Sequence, residues 1–113
     1  MKILIVDDNQ DAAESIEELI TPLGHSATVI LRGQEAVNAY RRSPYDLVFM
    51  DLKMPDIDGL ETSRRILGWD PKARIVVITG NSIKEDLDQV SRVGCIGLLR
   101  KPFKVEDLLS YLK

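Results

Sequence analysis

Five side chains of kinds that handle phosphate and metal ions stand at the ends of short apolar runs. Ile3-Leu4-Ile5-Val6 runs into Asp7-Asp8, Leu47-Val48-Phe49-Met50 into Asp51, Ile75-Val76-Val77-Ile78 into Thr79, and Ile96-Gly97-Leu98-Leu99 into Arg100-Lys101-Pro102. Three converging carboxylates with few other ligands suit a hard, oxygen-seeking divalent cation. Mg2+ fits best, because it keeps several waters and takes one or two carboxylates plus a phosphate. Adjacent like charges such as Asp7 and Asp8 are costly unless something compensates them, although an acidic pair alone also reads as a solvated loop or helix cap. Lys101 precedes Pro102, which holds its backbone extended; the peptide between them can be cis or trans. Its ammonium group is a point charge for phosphate oxygens or a counter-ion to carboxylates. Thr79, followed by Gly80, offers a hydroxyl, which alone would read as a turn or cap residue.

The apolar runs that carry these groups read as strands buried on both faces. If they lie parallel in one sheet, their carboxyl ends share one edge, the edge at which open α/β sheets bind ligands. Helical patterns alternate with them. From Asp11 to Ile20, apolar Ala12, Ile16, Leu19 and Ile20 recur at helical spacing while Asp11, Glu14, Glu17 and Glu18 face water. Pro22 biases Thr21 away from helical backbone and Gly24 supplies a stop. Ala27 to Leu31 is a strand and Gln34 to Arg42 a helix carrying Ala36, Val37 and Tyr40, with Arg41 and Arg42 at its negative end. Asp58 and Glu61 open a helix reaching Leu67, closed by Gly68 and Asp70-Pro71; Ser82 and Glu85 repeat the capping box before the stripe Ile83, Leu87 and Val90. The last helix, from about Lys104, is expected to bury Val105, Leu108, Leu109 and Leu112. Five strands alternating with five helices argue for βαβ units and a parallel sheet covered on both faces.

At 113 residues the chain is expected to be one domain, with no second domain and no internal repeat. A formal net charge of −3 gives no general attraction to nucleic acid or anionic membranes. There is no helix-turn-helix pattern or basic stripe, so direct nucleic-acid binding is not expected. The single cysteine, Cys95, excludes an internal disulfide and reads as a small buried hydrophobe. The apolar stretch after Lys2 is too short for a signal peptide, and no run reaches membrane-spanning length, so the cytoplasm is expected.

The chain resembles a receiver domain of two-component response regulators from Met1 to Lys113. The matching segments are Val6-Asp7-Asp8-Asn9, Met50-Asp51-Leu52-Lys53-Met54-Pro55-Asp56-Ile57-Asp58-Gly59, Ile78-Thr79-Gly80 and Lys101-Pro102-Phe103, in order and at matching spacing. The resemblance implies a flavodoxin-like, doubly wound sheet in the order 2-1-3-4-5, the strand order of this family. It implies that Asp51 is the phosphoacceptor, that Asp8, Asp51 and the backbone carbonyl of Lys53 bind Mg2+, and that Asp7 acts mainly through a bound water. Lys101 would pair with the phosphoryl group and the Thr79 hydroxyl would hydrogen-bond to it. Gly59 would allow a sharp turn, and Lys53 and Asn81 would tune phosphoryl lifetime. The implied partners are a sensor histidine kinase or phosphotransfer protein, and an effector reached through the Ile83–Val93 helix, the last strand and the last helix. A phosphorylation-linked dimer is compatible with the same pattern. One departure is Leu98, which stands where the family commonly has an aromatic residue that moves with the hydroxyl.

Three other readings fit less well. A receiver-like interaction module that is never phosphorylated has no need of this charge cluster, and Leu98 alone favours it. A flavin-binding electron carrier of the same topology wants a phosphate-cradling loop after the first strand, where Asp7-Asp8-Asn9 would repel one. A phosphatase working through an aspartyl phosphate would need a substrate-enclosing cap, for which the chain has no room.

Overall fold

The computed structural model describes residues 1–80 and 83–112, with residues 83–87 described through their backbone. The strands are β1 (Lys2–Val6), β2 (Ser26–Ile30), β3 (Leu47–Asp51), β4 (Ile75–Thr79) and β5 (Gly97–Arg100). Between and after them run α1 (Gln10–Ile20), α2 (Gly33–Arg42), α3 (Gly59–Trp69), α4 (Ile83–Val93) and α5 (Val105–Leu109). All strand pairs are parallel, in the order β2-β1-β3-β4-β5, as the flavodoxin-like reading expected.

The side-chain alternation of the strands sends two sets of residues to opposite faces. Leu4, Val6, Val48, Met50 and Ile75 pack with Ala36, Val37 and Tyr40 of α2 and Ile66 of α3. Ile3, Ile5, Leu47, Phe49, Val76 and Ile78 pack with Ala13, Ile16 and Ile20 of α1 and Leu108 of α5. Strands β3 and β4 are buried along their whole length, and β1 from Ile3 onward. The fourth apolar run is different: β5 is an edge strand, with Leu99 buried, Leu98 half-buried and Arg100 exposed. It also starts one residue later than expected, leaving Ile96 exposed. The other edge, β2, likewise sits one residue from its expected position, because an edge strand packed on fewer neighbours carries a weaker apolar signature.

Helix boundaries follow capping chemistry. Asn9 accepts from the Ala12 N–H and starts α1 one residue before Asp11, while Asp58 accepts from Glu61 N–H and starts α3 as expected. Thr21 departs from expectation, being helical in backbone (φ −65°, ψ −38°). The chain tightens into a 3₁₀ turn, Thr21–Leu23, in which Pro22 occupies an early position where its missing N–H costs little, and Gly24 ends it at φ +94°. Gly68 does not close α3. The helix runs through it to Trp69, and Asp70 caps the end by donating its N–H to the Ile66 carbonyl. Val105 is exposed rather than buried, since it faces outward in the first turn of α5. The expected Ser82–Glu85 cap and the side chains of Ile83 and Leu87 lie outside the described residues, and Val90 of the same stripe is buried.

At the end of α3 remote from the carboxyl edge of the sheet, Trp69 is exposed, and the Arg41 guanidinium lies 5.6 Å from its ring centre. Among the described residues, no helix is long and apolar enough to cross a membrane.

Phe49 is fully buried in the central strand. Phe49→Ala should therefore cost about 3–5 kcal/mol of stability, read from denaturant unfolding; a loss below about 1 kcal/mol would contradict the packing described.

Candidate functional site

Strand register brings the polar termini together. Val6 is level with Met50, so Asp7 follows β1 just where Asp51 ends β3. Asp51 pairs with Ile78, which sets Thr79 beside the acceptor strand's exit, and Thr79 pairs with Arg100, which sets Lys101 next to it. The Lys101 N–H donates to the Thr79 carbonyl at 2.7 Å, and the Lys101–Pro102 peptide that follows is cis. The result is a pocket of about 310 Å³ lined by Asp7, Asp8, Asn9, Asp51, Leu52, Lys53, Thr79, Gly80 and Lys101. All six side-chain and backbone candidates read from the sequence line this one pocket.

Each carboxylate has a different environment. Asp7 is buried; its Oδ1 accepts from Asn9 N–H at 2.9 Å and its Oδ2 from Lys101 Nζ at 3.3 Å. Its own N–H donates to the Ile30 carbonyl at 3.1 Å, which fixes the loop to β2. Asp51 is 9 % exposed, and Asp8 faces solvent at the mouth. Lys101 Nζ is 3.9 Å from Asp51 Oδ1, so it spans the two buried carboxylates and lies nearer to Asp7. Thr79 is buried at the same edge.

These groups are not electrostatically balanced. Burial pushes the Asp51 carboxyl up to about 7, Asp7 and Asp8 add to the rise, and Lys101 opposes it. Among the described residues, Lys101 is the only cation in ion-pair contact with any of the three carboxylates, and it reaches Asp7 and Asp51. With all three ionised, two negative charges remain uncompensated. One oxygen from each of Asp7, Asp8 and Asp51 can be chosen so that all lie within 4.8 Å of one another. An all-oxygen set with excess negative charge at the mouth of a solvent-open pocket matches what a hydrated divalent cation requires, and Mg2+ fits it.

Close backbone approach explains a glycine that the sequence reading assigned to a sharp turn. Gly59 has no positive φ. Instead, a Cβ there would lie 2.1 Å from the Asp51 carbonyl oxygen and 2.8 Å from Leu52 Cα, while its N–H donates to the Leu52 carbonyl at 2.8 Å. The first turn of α3 is thus pressed against the exit of β3. Two contributors were missed from sequence. Asn9 appeared only within a matching segment, although an Asn just before an apolar helical pattern is itself a cap signal. Asp56, which reaches α2, had no local signal at all.

The sequence model of the family described as "Response regulator receiver domain" matches residues 3–113. The transcription factor SKN7 of Candida albicans is 33% identical over 110 residues, which span 97% of this chain and 20% of that protein. A response regulator receiver protein of Anaeromyxobacter sp. is 33% identical over 109 residues, 96% of this chain and 46% of that one. The chain therefore spans less than half the length of these two relatives. Among solved structures, a two-component response regulator from Clostridium difficile superposes with a TM-score of 0.93 at 25% identity, covering 100% of this chain and 93% of that one. Chemotaxis protein CheY4 of Vibrio cholerae gives 0.91 at 26% identity, covering 98% and 94%.

A raised carboxyl pKa favours the folded state at low pH, and that advantage is lost as pH climbs from the unfolded value of 3.8 through about 7. Asp51→Asn escapes this loss. In metal-free buffer the variant should gain on wild type by on the order of 1–2 kcal/mol between pH 5 and pH 8, measured by unfolding at each pH. A pH-independent difference would contradict the burial of Asp51 beside two other carboxylates.

Proposed function

The chain belongs to the response regulator receiver family, whose role is phosphorylation-dependent signalling, and we propose that Asp51 is its phosphoacceptor. The observation that carries this reading is the place of Asp51: a nearly buried carboxylate at the end of the central strand, faced by Asp7, Lys101 and Thr79. In the proposed reaction an Asp51 oxygen attacks the phosphorus of a phosphohistidine on a sensor histidine kinase or phosphotransfer protein. The Asp51 O–P bond forms as the donor's N–P bond breaks, and the imidazole leaves with the electron pair and takes up a proton. The catalytic set is Asp51, Thr79 and Lys101, so the domain assists its own phosphoryl transfer and dephosphorylation.

Asp8, Asp51 and the Lys53 carbonyl would hold Mg2+, with Asp7 acting through water; the cation supplies charge neutralisation between an anionic nucleophile and an anionic donor. Asp7 also orients Lys101 through their 3.3 Å contact. Lys101 exchanges carboxylate pairing for the arriving phosphoryl oxygens, and the Thr79 hydroxyl donates a hydrogen bond to one of them. Phosphorylation adds about −1.5 to −2 charge and three strong acceptors. Contacts made by Thr79 and Lys101 then favour one arrangement of the segment after β4, and the population shifts toward it. The output surface is α4, β5 and α5, which would meet an effector protein or domain, or a second copy in a phosphorylation-linked dimer. Residues 1–113 form one receiver domain on this reading, working in the cytoplasm.

Intact mass after incubation with Mg2+ and acetyl phosphate should show one added phosphoryl group in wild type and none in Asp51→Asn. A gain of the same size in both proteins would remove Asp51 as the acceptor. Mg2+ should also raise thermal stability by mass action, about 2.7 kcal/mol at a hundred times its Kd, and Asp8→Ala should lose most of that gain. Equal Mg2+ shifts in the two proteins would argue against the metal site.

A further inference from the structure

Helix α2 starts without help from its own sequence. Its N-cap residue, Arg32, is extended (φ −138°, ψ 144°) and makes no side-chain capping hydrogen bond. The first N–H groups of a helix need acceptors, and Asp56, 22 and 23 residues further along, supplies them. Its Oδ1 accepts from Gly33 N–H at 3.1 Å and its Oδ2 from Gln34 N–H at 3.0 Å. Both oxygens are engaged, and the positive end of the helix dipole favours the carboxylate further. Hydrogen bonds from the Gln34 amide first, and from Ile57 and Gly33, hold the Asp56 carboxyl at about 2.

Asp56 belongs to the segment 52–58, which leaves β3 at the acceptor carboxylate and carries Lys53 along the pocket wall. The ends of the segment are tied by the Gly59 N–H to Leu52 carbonyl bond and by the Asp58 cap on α3. Its middle is tied to α2. Beside the Asp56 clasp, a Cβ at Gly33 would lie 2.6 Å from Ile57 Cγ1 and 2.3 Å from Thr62 Oγ1, so α2 begins directly against this loop and the first turn of α3. The clasp therefore ties the loop bearing Lys53 to an element that also packs on the sheet through Val37 and Tyr40.

We propose that Asp56 is a positioning residue for metal binding: by clasping the start of α2 it holds the 52–58 loop so that the Lys53 carbonyl stays at the acidic pocket. The inference rests on the reading that the pocket takes Mg2+ with that carbonyl among its ligands.

The test is a Mg2+ titration of the full chain, followed by amide shifts and thermal stability, for wild type, Asp56→Ala and Asp56→Asn. Asp56→Ala should weaken Mg2+ binding about ten-fold or more, the size of effect seen when ligand-orienting groups are removed. Asp56→Asn keeps one acceptor oxygen and should fall between. Phosphorylation by acetyl phosphate should need more Mg2+ for half-maximal rate in Asp56→Ala, yet return close to the wild-type rate at saturation. The second variant, Asp56→Ala with Arg32→Ser, gives α2 a cap of its own at an extended N-cap position. It should recover the thermal stability lost in Asp56→Ala and leave Mg2+ affinity weak. Unchanged Mg2+ affinity in Asp56→Ala would overturn the proposal, as would recovery of affinity together with stability in the double variant. A wild-type chain that takes up no Mg2+ would overturn the parent reading as well, and the wild-type titration alone reveals that case.

Discussion

Much of this molecule follows from one unfavourable interaction, the crowding of Asp7, Asp8 and Asp51 at one end of a parallel sheet. Three carboxylates within 4.8 Å of one another, two of them nearly out of water, are not a stable arrangement on their own. Lys101 offsets part of the repulsion by lying 3.3 Å from Asp7 and 3.9 Å from Asp51, and burial together with the remaining repulsion displaces the Asp51 carboxyl toward neutrality. A core optimised only for stability would place apolar or paired groups there. Retaining the imbalance leaves the site responsive to a cation that relieves it, a cost in stability of the kind functional sites commonly carry.

The sheet makes this crowding unavoidable. Parallel strands all exit at one edge, and the interior of each central strand is committed to packing on helices at both faces. Polar chemistry is thereby confined to the residue at which each strand ends. Because neighbouring strands among β1, β3, β4 and β5 end within a residue of one another, the short side chains of Asp7, Asp51 and Thr79 become neighbours directly, and only Lys101, from the edge strand, has to reach across with a long side chain. Gly59 then seals the exit of β3, since only a residue without Cβ lets α3 start against the Asp51 carbonyl.

What could be read from sequence tracks how many neighbours each residue has. The runs 3–6, 47–50 and 75–78 are apolar throughout because both faces are covered, and they were placed almost to the residue. Edge strands β2 and β5 have one partner each and drifted by one position. Local rules also failed where a nearby alternative was cheap: Pro22 was absorbed by a 3₁₀ turn, and Gly68 was carried inside α3 because Asp70 provides the cap. Asp7, Asp8, Asp51, Thr79 and Lys101 were legible because they stand at the ends of apolar runs, whereas Lys53 came only with the family resemblance. Asp56 was not, because its partners are amides of α2, and no local pattern records a cap borrowed from another loop.

Trp69, the one tryptophan of the chain, sits at the far end of α3. Eleven residues of helix at 1.5 Å each put its backbone about 15 Å from the residue that touches the acceptor strand. Its indole is exposed and stacked near Arg41, outside the two packed layers. Intrinsic emission is therefore an optical probe of the opposite pole of the domain. A fluorescence change accompanying chemistry at Asp51 would mean that the disturbance had travelled the length of a helix, and a constant signal would mean that it had stayed local.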